Sequence, residues 1–371
     1  MKIALLGTRG IPNQYGGFEQ FAEVLSTGLV AKGLDVTVYN PHDHNNKDST
    51  WQGVKIIHKY CPPKLSASIG QIVYDLKCIF DCRRRNFDII YQLGYTSSAI
   101  WYWLHPRKAY IITNMDGIEW KRDKYRYFGR IFVKYAEKLA IKRSQLLIAD
   151  SIGIYNYLRL WHGVKAEYIS YGAKIFETPD LAAIEGFHLE PDKYYLCIAR
   201  FQPENNLEMI IRGYLQSKSN LKLVMVGNGN NLFGRALRRK YRDERIIYLG
   251  AIFDKKILDN LRYHSRLYFH GHTAGGTNPS LLEAMGANAL ICAHENPFNR
   301  EVLEDNAFYF KTEQDISKLL TSNFEKYSYG KWKTNNSLAI KNQYNWETII
   351  ENYYQLFFQK VPKVLRVPKV P

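Results

Sequence analysis

Short apolar runs alternate with helix-length stretches along most of the chain. The first run, KIALLG, precedes a turn-rich loop and a segment whose apolar residues recur at helical spacing from Phe18 to Leu29. Gly33 ends that segment, and DVTVYN is the next apolar run. A strand, a helix and a strand in this order predict a β-α-β unit of a parallel sheet.

The alternation breaks once, over residues 172–190, where Gly, Pro and acidic residues accumulate, and then resumes. The second series and the tail predict helices over 206–217, 231–241, 254–263, 279–287 and 345–359. We therefore predict an α/β protein with two doubly wound, Rossmann-like domains that face each other across a cleft. In such sheets ligands bind beyond the carboxyl ends of the strands.

The predicted boundaries follow this break in the pattern. The first domain spans residues 1–175 and the second spans 176–340. Residues 341–371 hold a helix expected to return to the first domain, followed by a basic tail.

Composition narrows the class of protein. A chain of 371 residues, 46% hydrophobic, can bury two cores, and its formal net charge of +16 attracts anions such as nucleic acid, acidic lipid or phosphorylated ligands. The five cysteines show no paired or zinc-binding spacing, which is typical of a reducing cytoplasm. Because no signal peptide or membrane-span pattern is evident, we expect a cytoplasmic or peripheral protein.

The loop after the first strand is rich in glycine. Glycine lets backbone approach a ligand closely, and N–H groups at a helix start bind phosphate. Arg9 lies inside this loop and favours an anion, although the spacing is not that of the nicotinamide-nucleotide fingerprint. The alternative is a flexible connection. The four glycines are Gly7, Gly10, Gly16 and Gly17.

Two loops of the second domain also follow strands. Arg200 ends a strand in IARFQPENN, where its guanidinium can clamp a diphosphate or form a surface ion pair with Glu204. Gly227, in VGNGNN, marks either a tight turn or a ligand contact.

The stretch GGTNPSLLEAMG predicts a thin turn that opens a helix. Its two glycines keep the turn thin, its polar side chains and Pro279 suit a helix start, and the first N–H groups would face an anion. Glu283 lies one turn in, where it can accept hydrogen bonds from the vicinal hydroxyls of a ribose or only complement the helix dipole. The residues of this turn are Gly275, Gly276, Thr277, Asn278, Pro279, Ser280 and Leu281.

NMDGIEWKRD follows a strand of the first domain. It places Asp116 and Glu119 on the opposite wall of the predicted cleft, unless Asp116 is only a turn residue. The chain contains no DxD, HExxH, GxxxxGK[ST] or GxSxG motif, so we expect neither a metal nor a nucleophile elbow.

Together these segments resemble the GT-B nucleotide-sugar glycosyltransferases of retaining family 4, over essentially the whole chain. The resemblance implies that Gly16 and Gly17 face the donor phosphates, that Arg200 binds the diphosphate, and that Glu283 holds the ribose. Two positions depart from the family pattern. Asn205 replaces a lysine, and Gly275 replaces the first glutamate of a Glu–seven residues–Glu motif.

GTRGIPNQYGGFE, DGIEWKR, PENN and GGTNPSLLEAMG together are similar to bacterial rhamnosyltransferases of capsule, O-antigen and exopolysaccharide assembly. The resemblance implies transfer of L-rhamnose from dTDP-rhamnose to a lipid-linked saccharide, with the acceptor on the first domain and the donor on the second. GDP-mannose, UDP-glucose and UDP-N-acetylglucosamine remain alternative donors. An epimerase, a phosphorylase or a non-enzymatic basic protein binding nucleotide or nucleic acid are alternative functions.

The resemblance implies retention, which we expect to proceed by front-side attack without cofactor or metal. Arg200 and the helix N-termini would stabilise the leaving group, with Arg9 supplying the second charge that Asn205 lacks. Asp116 would orient the acceptor or act as a base, beside Tyr15 and Glu119 as acceptor contacts. Glu204 and Gly227 complete the expected donor contacts.

Residues 122–143 carry eight basic and two acidic residues with interleaved aromatics. Such a face predicts docking on the anionic inner surface of the plasma membrane. The alternative is a solvated basic face whose apolar residues pack in the core. Those apolar residues are Phe128, Ile131, Phe132, Tyr135 and Leu139.

Overall fold

The chain divides into two compact units. The computed structural model describes residues 1–62, 67–122, 125, 127–273, 275–322 and 324–360. The first unit comprises Met1–Lys121, Tyr125–Tyr171 and Trp346–Pro371, and the second comprises Arg122–Lys124 and Gly172–Asn345.

Each unit is built on a sheet of mostly parallel strands. The strands of the first unit are β1 Lys2–Leu6, β2 Asp35–Pro41, β3 Thr50–Trp51, β4 Val54–Lys59, β5 Ile89–Leu93, β6 Tyr110–Asn114, β7 Leu146–Ala149 and β8 Glu167–Tyr168. Those of the second are β9 Tyr194–Ile198, β10 Lys222–Val226, β11 Ile246–Gly250, β12 Leu267–His270, β13 Ile291–His294 and β14 Phe308–Phe310.

Helices follow most of the strands. The α-helices are α1 Gly17–Ala31, α2 Ala67–Cys82, α3 Tyr127–Arg143, α4 Ile152–His162, α5 Ala182–Glu185, α6 Leu207–Ser217, α7 Leu232–Lys240, α8 Lys255–His264, α9 Pro279–Gly286, α10 Pro297–Leu303, α11 Glu313–Thr321, α12 Gly330–Asn342 and α13 Trp346–Lys360. Short 3-10 helices lie at Ala99–Leu104, Glu119–Lys121, Pro203–Asn205 and Lys326–Tyr329.

Strand order fixes where each sheet opens for a ligand. The described strands of the first sheet run β3-β4-β2-β1-β5-β6-β7-β8, and those of the second run β11-β10-β9-β12-β13-β14. The order reverses between β1 and β5 in one sheet and between β9 and β12 in the other. In doubly wound sheets the crevice at this reversal is the usual binding position.

The burial of apolar side chains explains why β9, β10 and α6 form in the second unit. The central strands β9 and β10 are buried along almost their whole length, as expected for parallel strands covered on both faces. In α6 the side chains of Leu207, Ile210, Ile211 and Tyr214 recur at helical spacing and pack into the core of the second unit.

The C-terminal helix α13 packs in the first unit. The side chain of Ile350 lies against Gly28 of α1, and the hydroxyls of Tyr353 and Tyr91 are 2.8 Å apart. This contact lays α13 against both α1 and the sheet.

Several elements differ from the sequence prediction. The apolar pattern of the sequence also predicts a helix near residues 97–104, and the structure has a 3-10 helix there, at Ala99–Leu104. The elements α10, β14, α11 and α12 were not predicted. In α12 the apolar periodicity is weak, because only Asn336 and Ile340 are buried, and α10, β14 and α11 are short. Among the described helices, none has both the length and the apolar content needed to cross a bilayer.

In helix α3 the structure contradicts the alternative that the apolar residues of this segment pack in the core. Of the five apolar residues proposed to pack in the core, only Leu139 is buried, whereas the other four are exposed. The four exposed side chains are Phe128, Ile131, Phe132 and Tyr135.

Candidate active site

The loop after β1 is held by buried side chains of its own unit. The carboxylate of Glu19 accepts the backbone N–H of Arg9 at 2.8 Å and the hydroxyl of Thr8 at 3.4 Å. The side chain of Asn40 accepts the N–H of Ile11 at 3.0 Å and donates to its carbonyl at 2.8 Å. This loop is therefore a braced connection rather than the flexible one considered as the alternative.

Gly16 and Arg9 lie where a ligand could reach them. Gly16 has an extended backbone with φ of −177°, and a β-carbon placed there would meet only the Glu19 carboxylate, at 3.6 Å. Neither conformation nor packing therefore requires glycine at this position. The guanidinium of Arg9 stacks 3.9 Å from the ring centroid of Tyr15, which joins two predicted site residues.

Asp116 sits at the end of a buried polar chain in the same unit. Its carboxylate accepts the hydroxyl of Tyr171 at 3.4 Å, and the amide of Asn114 lies 3.5 Å from that hydroxyl. Burial and, secondarily, the Asp116 charge raise the pKa of Tyr171 well above its ordinary value, so Tyr171 stays a donor. Glu119, in the 3-10 helix that follows, is buried.

In the second unit the ends of β9 and β12 are tied together. The amide of Asn206 donates to the carbonyl of Gly271 at 2.8 Å, and Thr273 bonds the carbonyl of Glu204 through its N–H at 3.1 Å and its hydroxyl at 2.9 Å. The buried amide of Asn205 donates to the carbonyl of Arg200 at 2.6 Å. Asn205 thus braces the turn that carries Arg200.

Glu204 has an unusual environment within this turn. Its side chain is only 5% exposed, yet neither carboxylate oxygen has a hydrogen-bond partner in the described chain. Among the described ion pairs none joins Glu204 to Arg200, whose side chain is exposed, so the surface ion pair considered from sequence does not form. A buried carboxylate without partners is costly, and natural sites of this kind await a ligand or water.

Two histidines at the end of β12 were not predicted as site residues. The rings of His270 and His272 stack with centroids 4.5 Å apart. Within the part of the chain that the structure describes, both nitrogens of His270 and Nδ1 of His272 have no hydrogen-bond partner. Burial and then Arg262 lower the pKa of His270 to about 3. Burial, followed by His270, Arg200 and Arg122, lowers the pKa of His272 well below its ordinary value. Both rings are therefore neutral hydrogen-bonding groups.

The start of α9 is capped by the protein. The side chain of Asn278 accepts the N–H of Ser280 at 3.0 Å, and its carbonyl accepts the N–H of Leu281 at 3.0 Å. The two N–H groups predicted to face an anion are therefore already bonded within the protein, while the predicted donor contact of Ser280 and Leu281 stays a prediction. An N-cap side chain satisfies the first-turn donors that a phosphate would otherwise bind.

Glu283 is part of a charged cluster beneath that turn. Its carboxylate lies 2.5 Å from the guanidinium of Arg262 and 3.6 Å from the ammonium of Lys255, and Asp259 also pairs with Arg262. Burial alone lowers the pKa of Arg262, but Glu283, Tyr268 and Asp259 together offset this and raise it. The Arg262 partner was not predicted, because nothing in the local sequence links residues 262 and 283.

The turn after β10 has a packing explanation. At Gly227 φ is +152°, and a β-carbon there would lie 2.0 Å from the carbonyl oxygen of Ala199. Asn231 caps α7 by accepting the N–H of Gly234 at 2.7 Å. The tight-turn interpretation accounts for this glycine, while its predicted donor contact stays a prediction.

Two families cover most of the chain. Residues 1–174 match a domain of unknown function, DUF1972, and residues 183–336 match the glycosyl transferases group 1. Sucrose-phosphate synthase from Thermosynechococcus elongatus superposes with a TM-score of 0.79 at 15% identity, over 96% of this chain and 98% of that one. Anabaena HepE in complex with UDP-glucose superposes with a TM-score of 0.75 at 14% identity, over 96% and 99%.

The match to the glycosyl transferases group 1 family lies within the second unit, and the fold of the chain is GT-B. This confirms the predicted fold class. Over 195 residues this chain is also 24% identical to a Campylobacter jejuni enzyme. That enzyme is the N-acetylgalactosamine-N,N'-diacetylbacillosaminyl-diphospho-undecaprenol 4-alpha-N-acetylgalactosaminyltransferase. The match covers 51% of this chain and 52% of that relative, about half of its length.

Proposed function

We propose that this protein is a retaining glycosyltransferase of bacterial surface polysaccharide synthesis. It transfers a sugar, with L-rhamnose from dTDP-rhamnose as our assignment, to a lipid-linked saccharide. The second unit binds the nucleotide-sugar donor and the first unit binds the acceptor. The match of residues 183–336 to the glycosyl transferases group 1 family supports the placement of the donor in the second unit.

The buried carboxylate of Glu204 carries the proposal. Its two oxygens have no donor among the described residues, and it lies four residues after the exposed cation Arg200, at the reversal between β9 and β12. A nucleotide-sugar supplies both complements, hydroxyl donors for a carboxylate and a diphosphate for a guanidinium. Neutral His272, beside Arg200, can hydrogen-bond the same ligand without adding charge.

Cleavage of the donor builds positive charge on the sugar and negative charge on the leaving diphosphate. Arg200 stabilises the leaving group, and Arg9 and the start of α1 are the second source of positive potential. The proposed route needs no metal or other cofactor. In a front-side attack the leaving phosphate takes the acceptor proton, and Asp116 then only orients the acceptor hydroxyl. In the alternative step Asp116 takes that proton as the base and the phosphate leaves unprotonated.

The lipid-linked acceptor is supported by the Campylobacter relative, whose name describes transfer to a diphospho-undecaprenol saccharide. The rhamnose assignment rests on the motif resemblance and on Gly275, where a family glutamate for the sugar is missing. The exposed aromatic and basic face of α3 supports peripheral docking on the anionic inner surface of the plasma membrane. The proposal includes no binding of nucleic acid.

A donor screen by thermal shift tests the proposal with dTDP-rhamnose, GDP-mannose, UDP-glucose and UDP-N-acetylglucosamine. We expect selective stabilisation by dTDP-rhamnose, reduced in Glu204→Gln because the amide replaces an acceptor oxygen. Glu208→Gln is the matched control, since the Glu208 carboxylate already accepts Lys240 and Tyr241 on the protein surface.

The outcomes separate the parts of the proposal. Stabilisation by another donor would remove the rhamnose assignment and keep the transferase. No stabilisation by any of the four donors, with and without acceptor, would contradict the proposed function. Equal loss in the two glutamine variants would remove Glu204 from the site.

A further inference from the structure

A pocket of the first unit lies between α3, α4 and the 3-10 helix Glu119–Lys121 that follows β6. Its volume is about 290 Å³, close to the lower limit for small-ligand sites. We call it the α3–α4 pocket. Its lining residues are Trp120, Lys121, Lys134, Glu137, Lys138, Tyr157, Trp161 and His162.

The floor of the pocket is the carboxylate of Glu137, which accepts hydrogen bonds from three side chains. Glu137 is buried and accepts the hydroxyl of Tyr157 at 2.8 Å, Nε2 of His162 at 3.0 Å and the hydroxyl of Tyr95 at 3.0 Å. Trp120 donates its indole N–H to the same Tyr157 hydroxyl at 3.2 Å. The floor is thus a closed network that orients Trp120 and leaves Glu137 engaged with three donors.

The rim, in contrast, carries an excess of positive charge. Lys121, Lys134 and Lys138 line the pocket against the single carboxylate, and no described ion pair involves these three lysines. The ammonium of Lys134 lies 4.1 Å from the ring centroid of Trp120, and that of Lys121 lies 5.5 Å from it. Ammonium groups gathered on an aromatic wall without carboxylate partners favour an anionic ligand.

The surroundings of the pocket are apolar. On α4, Trp161, which lines the pocket, is 80% exposed, and its chain neighbour Leu160 is 72% exposed. Exposed apolar side chains that lie next to one another can mark a surface that contacts a partner or a membrane. An anionic site within an apolar surface matches the two ends of an amphiphile.

We propose that the α3–α4 pocket binds the phosphate group of a single membrane amphiphile. The lysines hold the phosphate and the lipid chain lies against Trp161 and Leu160. The ligand class is a phosphate or diphosphate ester of an apolar chain, supplied by an anionic phospholipid or by an isoprenoid diphosphate. The inference deepens the proposed membrane association by replacing a diffuse basic face with one discrete site.

Tryptophan fluorescence titration of the full chain tests the site, because Trp120 and Trp161 line it. The probes are dihexanoyl phosphatidylglycerol, farnesyl diphosphate and inorganic phosphate, below micelle concentrations. We expect saturable binding of both amphiphiles, tighter than that of inorganic phosphate by at least about tenfold. A preference between the amphiphiles identifies the source, and either preference supports the site.

Variants that remove equal numbers of charges distinguish binding in the pocket from general electrostatic attraction to a basic surface. Lys134→Ala/Lys138→Ala removes two pocket charges, whereas Lys142→Ala/Arg159→Ala removes two exposed charges of the same helices outside the pocket. We expect the first pair to weaken binding at least about tenfold and the second less than about threefold. In the same way, Trp161→Ala should weaken binding more than Leu160→Ala, its equally exposed neighbour outside the lining.

Equal weakening by the two double variants would overturn the pocket in favour of general electrostatics. If inorganic phosphate bound as tightly as the two amphiphiles, the proposal that the ligand is an amphiphile would be wrong. The donor thermal shift, measured on the same variants, should be unchanged. Normal donor binding without lipid binding would therefore contradict this inference alone, and the reverse result would contradict the proposed function alone.

Discussion

The loop after β1 and the loops after β9 and β12 occupy equivalent reversals of strand order, but their polar groups are satisfied differently. In the first, Glu19 and Asn40 bond backbone N–H groups and brace the loop. In the second, the buried oxygens of Glu204 and both ring nitrogens of His270 have no partner in the described chain.

This difference assigns different tasks to the two loops. A glutamate that accepts backbone N–H groups stabilises the fold and has little capacity left for a ligand. A buried glutamate without partners lowers stability and gains its hydrogen bonds only when a ligand arrives. Two carboxylates of the same type, Glu19 and Glu204, should therefore respond to substitution in opposite ways.

The largest effect on stability is expected in the ion-pair cluster of the second unit, where Arg262 is paired with Glu283 and Asp259. Glu283→Ala leaves the buried guanidinium of Arg262 with Asp259 and should lower the free energy of unfolding by about 3–5 kcal/mol. Denaturant unfolding measures the loss. Lys255→Ala, which removes an exposed and more distant partner of Glu283, should cost less than about 1 kcal/mol. Similar small losses in both variants would show that the cluster is not structurally important.

The direct test of the comparison replaces each glutamate by leucine. Glu19→Leu leaves the N–H of Arg9 without its acceptor and should cost about 2–3 kcal/mol of unfolding free energy. Glu204→Leu removes a buried carboxylate that has no partner and should be neutral or stabilising by about 1 kcal/mol. The two denaturation midpoints should move apart; equal losses would mean that the loops do not differ in this way.

His270, at the end of β12, should make the stability of the protein depend on pH. The pKa of His270 is about 3 in the folded protein against an ordinary 6.5, so its contribution is fully present above pH 6.5 and is lost as the pH falls toward 3. Between pH 7 and pH 5 this loss is about 2 kcal/mol. His270→Phe should remove that part of the pH dependence in urea unfolding. Parallel pH profiles of the two proteins would contradict a neutral buried ring.

The smallest effect on stability is expected at Gly16. Its extended backbone accepts a β-carbon, so Gly16→Ala should change the unfolding free energy by less than about 0.5 kcal/mol. If the glycine is present for a ligand, donor affinity should nevertheless fall about tenfold, because the methyl group occupies the approach. A thermal shift with donor measures this; unchanged donor binding would remove Gly16 from the site.

Much of the candidate site was chosen from local sequence signals. A cation at a strand end, a glycine-rich turn and a proline before a helix are short-range signals, and Arg200, Gly275 and Pro279 follow them. The capping of α9 could not be predicted with the same rules, because Asn278 suits both a cap and a ligand contact. Only geometry decides whether its oxygen bonds the helix or a ligand.

The sequence by itself determined the two α/β domains, since hydrophobic periodicity reports which face of each element is buried. It also determined the candidate loops, because turn residues and strand ends are local. Tertiary structure decided which polar groups are already paired: Glu283 with Arg262, Glu19 with the loop, and Glu204 with none in the described chain. Pairing depends on atoms far apart in the chain, such as residues 262 and 283, whose distance no local pattern encodes.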